Sequence, residues 1–130
     1  MKRNQKRKKG FSLTELVVTL VMVAILAIIG LPVYRGYIKK GISTEGKALL
    51  GEINAAQQIY YTRNGQYYAG TVGQTFGGAF AVDARRNKYF TSYYVTEGGQ
   101  TYTAVTTSKD GSQTLTLVGS YTSEPKIIEN

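Results

Sequence analysis

With neither cysteine nor histidine among its 130 residues, this chain must act through carboxylates, cations and tyrosines. Disulfides and thiolate metal sites are excluded, and the commonest acid–base group and metal ligand is missing. The eight acidic residues are scattered, so no nucleophile–base–metal set can be assembled and an enzyme is not expected. Asp83 and Asp110 are too isolated for a calcium site. Gly70, Gly73, Gly77 and Gly78 lack the lysine and hydroxyl residue of a phosphate loop, so no metal or cofactor is expected. Two groups of residues do carry chemistry. Glu15 is the sole charge in the apolar run 11–34, and a carboxylate at membrane depth is costly and usually functional. Arg85, Arg86 and Lys88 stand beside Tyr89 and Phe90, joining charge to stacking surfaces as single-strand nucleic-acid sites do. A solvated loop entering a strand accounts for those same residues more simply.

The elements that must position these groups begin with a basic leader. Lys2, Arg3, Lys6, Arg7, Lys8 and Lys9 run into Gly10, and the apolar run follows. About 20 apolar residues span a bilayer core, and the basic flank belongs on the cytoplasmic side. The expectation is a single-pass inner-membrane protein with its C-terminus outside the cytoplasm. A cleaved secretory signal fits poorly, because the run is too long and Gly30-Leu31-Pro32 lacks a small-x-small site. An ordinary signal-anchored surface protein is the plain alternative. The net charge of +8 is mostly leader: without it, 10 basic residues face 8 acidic ones. The total therefore does not imply a generally basic surface.

Beyond the run, Ile38, Ile42, Leu49, Ile53, Ala56 and Tyr60 recur at helical spacing. Lys39, Lys40, Glu45, Lys47, Glu52 and Gln57 mark the opposite, solvated face. Arg63-Asn64-Gly65 supplies a cationic last turn and a stop. One helix over residues 11–62 is predicted, with a bend or partial unwinding near residues 30–36, where Gly30 and Pro32 weaken it. Residues 64–88 read as a glycine-rich loop with a short strand at 79–82. Segments 89–96, 101–107 and 114–121 are rich in Tyr, Thr and Val and read as three antiparallel strands. Gly98-Gly99 and Lys109-Asp110-Gly111 are their turns, and residues 122–130 read as a loose tail. The fold class is α+β: a long helix, its first half transmembrane, packed on a small antiparallel sheet. The divisions are a leader 1–10, an apolar helix 11–34, an amphipathic half 35–63 and a sheet domain 64–130.

Lys9-Gly10-Phe11-Ser12-Leu13-Thr14-Glu15-Leu16 resembles the signal of prepilins, and Pro32, Tyr34 and Tyr37 lie at family-like spacing. The chain is thereby identified as a type IV pilin, most similar to the type IVa minor-pilin branch. The resemblance implies that a prepilin peptidase cuts between Gly10 and Phe11 and methylates the new amine of Phe11. It further implies that Glu15 pairs with the Phe11 amine of a neighbouring subunit as filaments grow. Pairing within one chain stays open, since Glu15 lies one helical turn beyond Phe11 on the same face. Other pilins, an inner-membrane platform and a cytoplasmic assembly ATPase are the implied partners. The implied destination is an extracellular pilus, or fimbrium, serving adhesion, motility or DNA uptake. A type II secretion pseudopilin and a DNA-binding competence pilin are the alternatives. The lack of Cys departs from pilins whose C-terminal loop is closed by a disulfide.

Leaving the bilayer is the larger energetic problem. Residues 16–31 carry twelve large aliphatic or Met side chains, and wetting them would cost roughly 20–35 kcal/mol at about 1.5–3 kcal/mol each. Such a helix can leave lipid only for another apolar environment, which a bundle of identical helices supplies through contacts that do not close. Mass spectrometry of the mature protein is expected to show residues 1–10 absent and one methyl group on Phe11; an intact leader would sink this reading. Glu15→Ala is expected to be processed and inserted yet fail to enter filaments, and its normal assembly would contradict the charge-pair role.

Overall fold

The computed structural model describes residues 10–72 and 82–130. The chain divides into two compact units, Met1–Ile38 and Lys39–Asn130. Helix α1 is Leu13–Asn64, with Pro32 inside it. Among the described residues five strands follow: β1 (Gly70–Val72), β2 (Tyr93–Glu97), β3 (Thr101–Thr107), β4 (Thr114–Ser120) and β5 (Lys126–Glu129). They form one antiparallel sheet in sequence order.

In the first unit the helix has no packing partner among the described residues. Every residue from Leu13 to Ile38 is exposed, and this stretch is long and apolar enough to cross a membrane by length and composition. The helix is continuous through residues 30–36, so of the bend or partial unwinding expected at Gly30 and Pro32, the unwinding does not occur. One proline removes a single hydrogen bond, and the neighbouring turns remain helical.

In the second unit Leu49, Leu50 and Ile53 are buried against Phe90, Tyr93, Val95, Tyr102, Ala104, Leu115 and Leu117. Burying each large side chain contributes about 1.5–3 kcal/mol. The inner face of the sheet follows from strand alternation: Tyr93 and Val95 on β2, Tyr102 and Ala104 on β3, Leu115 and Leu117 on β4 point to the helix. The helical stripe differs from the expected one at both margins. Ile38 is exposed, whereas Gln57 is fully buried. Gln57 is buried because it is paired: its Nε2 donates to the Tyr68 carbonyl (2.8 Å) and its Oε1 accepts from the Tyr68 N–H (2.9 Å). The helix stops as the sequence predicts, with Gly65 at φ +71° and its N–H donated to the Tyr61 carbonyl.

One strand start and two whole strands differ from expectation. β2 begins at Tyr93 rather than residue 89, because the N–H groups of Lys88, Tyr89 and Phe90 are donated to Glu45 instead of a ladder. The tail is not loose: β5 pairs with β4, and Glu129 meets Lys47 of the helix at 2.9 Å. Within the segment read as loop 64–88, β1 pairs with β2, and Ala84–Arg86 form one 3-10 turn. The leader residues 1–9 and the strand expected at 79–82, apart from Val82, lie outside the described residues.

Gly46 and Glu45 together dock the segment before β2. A Cβ at Gly46 would come within 2.9 Å of the Phe90 ring and closer still to Leu115, so the ring lies directly on the helix backbone. Glu45 accepts at Oε1 from Tyr89 (2.6 Å) and Phe90 (3.0 Å) and at Oε2 from Lys88 (3.2 Å). Desolvation disfavours its charge, but the three N–H groups and the nearby Lys88 ammonium outweigh it and hold the carboxyl below its ordinary 4.5.

Gly46→Ala is expected to cost about 1–2 kcal/mol net, overpacking outweighing the gain in helix propensity. Thermal unfolding would read this as a Tm lower by about 5–10 °C, and an unchanged Tm would contradict the close approach. Since Glu45 titrates lower folded than unfolded, its stabilisation is present above pH 4.5 and lost as pH falls through the folded value. Glu45→Gln should therefore flatten the fall in Tm between pH 6 and pH 3.

Candidate functional site

At the N-terminal end, Gly10 and Phe11 precede the helix and are exposed, Phe11 by 78%. The Ser12 carbonyl accepts the Leu16 N–H at 3.1 Å, so the helix begins immediately beyond the Gly10–Phe11 bond. That bond therefore lies outside helical structure, in accessible chain. Glu15 sits in the first turn, where the helix dipole favours an anion, and it makes no ion pair among the described residues. A Cβ on Gly30 would meet nothing within 4 Å, so packing within this chain does not demand a glycine there.

The second unit places the basic residues on the segment before β2. Asp83 caps the 3-10 turn, accepting the Arg85 N–H at 3.0 Å and the Arg85 Nε–H at 3.1 Å. The side-chain bond from Arg85, then its backbone bond, hold the Asp83 carboxyl below its usual range. Arg85 is thus already committed to an anion. Arg86 is exposed and in no ion pair among the described residues. The Lys88 ammonium lies 5.1 Å from the centroid of the Tyr89 ring, a cation–π distance. Phe90 is fully buried against the helix, so it is no stacking surface, which corrects the aromatic half of the sequence reading.

Tertiary structure adds cations from elsewhere. The Lys109 N–H donates to the Tyr89 carbonyl at 2.9 Å, which brings the β3–β4 hairpin turn against the basic segment. The same hairpin reaches the helix, since Gln113 Nε2 donates to the Lys39 carbonyl at 3.2 Å. Lys39, Arg86, Lys88 and Lys109 are exposed and unpaired with acids among the described residues. The nearby acids are engaged. Asp110 is held at about 2 by the Ser108 hydroxyl and by the backbone and hydroxyl of Ser112, Glu45 by backbone N–H groups and Glu129 by Lys47. Four exposed cations outside any ion pair, beside acids that stay ionised but are held by internal partners, make a surface for polyanions. Lys39 and Lys109 escaped the sequence reading of this surface because one lies on the solvated helix face and the other in a turn, both far in sequence from the Arg85–Lys88 cluster. No group of three or more potential metal ligands occurs among the described residues.

Family matches cover residues 5–117 in two adjoining parts. Residues 5–31 match the model of the prokaryotic N-terminal methylation motif. Residues 32–117, which hold all four cations, match the family model described as type IV minor pilin ComP, DNA uptake sequence receptor. A fimbrial protein of Neisseria meningitidis serogroup A is 30% identical over 96 residues, covering 74% of this chain and 55% of the relative. Fimbrial protein EcpC of Eikenella corrodens is 36% identical over 62 residues, covering 48% of this chain and 40% of the relative. The chain thus spans about half the length of the curated relatives it matches. No solved structure matches significantly. A methylation motif at the head of an apolar helix, and a family match over the helix and sheet that follow, have one meaning: this chain belongs to the ComP family of type IV minor pilins.

Proposed function

We propose that this minor pilin captures duplex DNA at its basic surface while its apolar helix anchors it first in the membrane and then in a filament. Prepilin peptidase cuts between Gly10 and Phe11 and methylates Phe11 on the cytoplasmic face, and the inner-membrane platform and assembly ATPase insert the subunit among other pilins. The new amine at Phe11 and the unpaired Glu15 form a charge pair between subunits, whose attraction in a low dielectric offsets the cost of burying the acid. Gly30 leaves a flat spot on which a neighbouring helix can seat closely. The assembled subunit stands on the outside of the cell as part of a fimbrium.

The observation that carries DNA binding is that Lys39, Arg86, Lys88 and Lys109, outside any ion pair among the described residues, stand on three elements joined by one backbone hydrogen bond and by side-chain bonds from Gln113 and to Glu45. With Phe90 buried and Tyr89 half-buried near Lys88, there is little surface for base stacking, and phosphates become the natural ligand. Phosphate contacts release counterions, so affinity falls with salt by about 0.9 log units per decade for each contact. A filament that repeats such a patch gains avidity without new contacts.

Full-length protein in detergent micelles, titrated with duplex DNA at several salt concentrations, is expected to show this dependence. Arg86→Ala and Lys109→Ala should each reduce the slope by about 1, whereas Arg85→Ala should change it least because Asp83 already holds that guanidinium. Affinity that ignores salt, or is unmoved by either substitution, would retire the DNA-capture reading.

A further inference from the structure

Tyr89 has both of its backbone groups in use. Its N–H goes to Glu45 Oε1 on the helix at 2.6 Å, and its carbonyl accepts the Lys109 N–H of the hairpin at 2.9 Å. One peptide segment thus bridges the helix to the β3–β4 hairpin, with Lys88 adjoining the bridge in sequence and Lys109 forming its hairpin end. Glu45 also holds the N–H groups of Lys88 and Phe90, and the adjacent Gly46 receives the Phe90 ring. We propose that Glu45 is the positioning residue of the DNA-binding surface: its carboxylate grips three consecutive N–H groups and so sets the segment carrying Arg86 and Lys88 in register with Lys109.

The inference rests on the DNA-capture reading above, and it has an unusual sign. By charge alone, an acid close to Lys88 opposes a polyanion, so removing it should tighten binding. By position, removing it frees the segment, and cations that are no longer held at one spacing lose contacts they would make together. A carboxylate suits this role because it only accepts, offering two oxygens to three donors. A glutamine keeps one oxygen but turns an NH2 group toward an N–H. The identity of the residue, and not just its size, therefore sets the geometry.

The test is duplex DNA binding by the full-length chain in detergent micelles across a salt series, comparing wild type, Glu45→Ala, Glu45→Gln and Glu52→Ala. Glu45→Ala is expected to lower affinity about tenfold and to reduce the salt slope by about 1, as one phosphate contact is lost. Glu45→Gln, nearly the same shape and safer for folding, should fall between it and wild type. Glu52→Ala removes an exposed acid from the same helix and should leave affinity unchanged or slightly tighter. Amide exchange at Tyr89 and Phe90 should quicken in both Glu45 variants. The proposal is overturned if Glu45→Gln binds as tightly as wild type, or more tightly, with its slope intact. Wild-type protein lacking any salt-dependent affinity would overturn the DNA reading itself, and this inference with it, before variants are compared.

Discussion

The packing of one helical stripe against one sheet face carries the second unit, and it does so without a covalent cross-link. Leu49, Leu50 and Ile53 supply the apolar contact, while the helix's polar residues fasten the other elements individually. Glu45 holds the segment before β2, Lys47 the edge strand β5, Gln57 the chain at Tyr68, Gln58 the Ser120 carbonyl, and Asn54 the Tyr102 hydroxyl. In a unit of this size apolar burial alone gives a thin margin. Hydrogen bonds from partly buried side chains add roughly 0.5–1.5 kcal/mol each, and they fix geometry where disulfides are absent.

The apolar half of the helix obeys the same physics in another solvent. Its side chains from Leu13 to Leu31 are exposed in the isolated chain, a state tolerable only in lipid or among other apolar helices. A lone carboxylate in that stretch calls for a cationic partner, and under the proposed cleavage before Phe11 the new amine would supply one nearby. Membrane anchoring and filament assembly are then two ways of meeting one requirement.

The basic surface shows how local and distant sequence divide the work. Arg85, Arg86 and Lys88 are a visible cluster, yet their chemical states differ for reasons outside the cluster. Asp83 neutralises Arg85, the ring of Tyr89 lies near Lys88, and Arg86 is left to solvent. Lys109, twenty-one positions beyond Lys88, joins them through a single backbone hydrogen bond. Phe90 looked like a stacking surface from its neighbours in the chain, but Gly46 draws its ring into the core.

Long periodic or strongly biased segments could be read directly. The apolar run, the helix stop at Gly65, strand β3 and the start of β4 need no information beyond neighbouring residues, because hydrophobic period and turn chemistry act locally. Strands β1 and β5 were not legible: each is short and weakly patterned, and each exists because a neighbouring strand offers an open edge. Likewise Glu45 and Gln57 read as solvated polar positions until the sheet brought unpaired backbone groups to them. Composition and order along the chain determined that this protein has a membrane-suited helix, a processing signal and a tyrosine- and threonine-rich sheet. Only the tertiary structure decided which charges are spent on internal partners and which remain for a ligand, because that depends on groups far apart in sequence competing for the same hydrogen bonds.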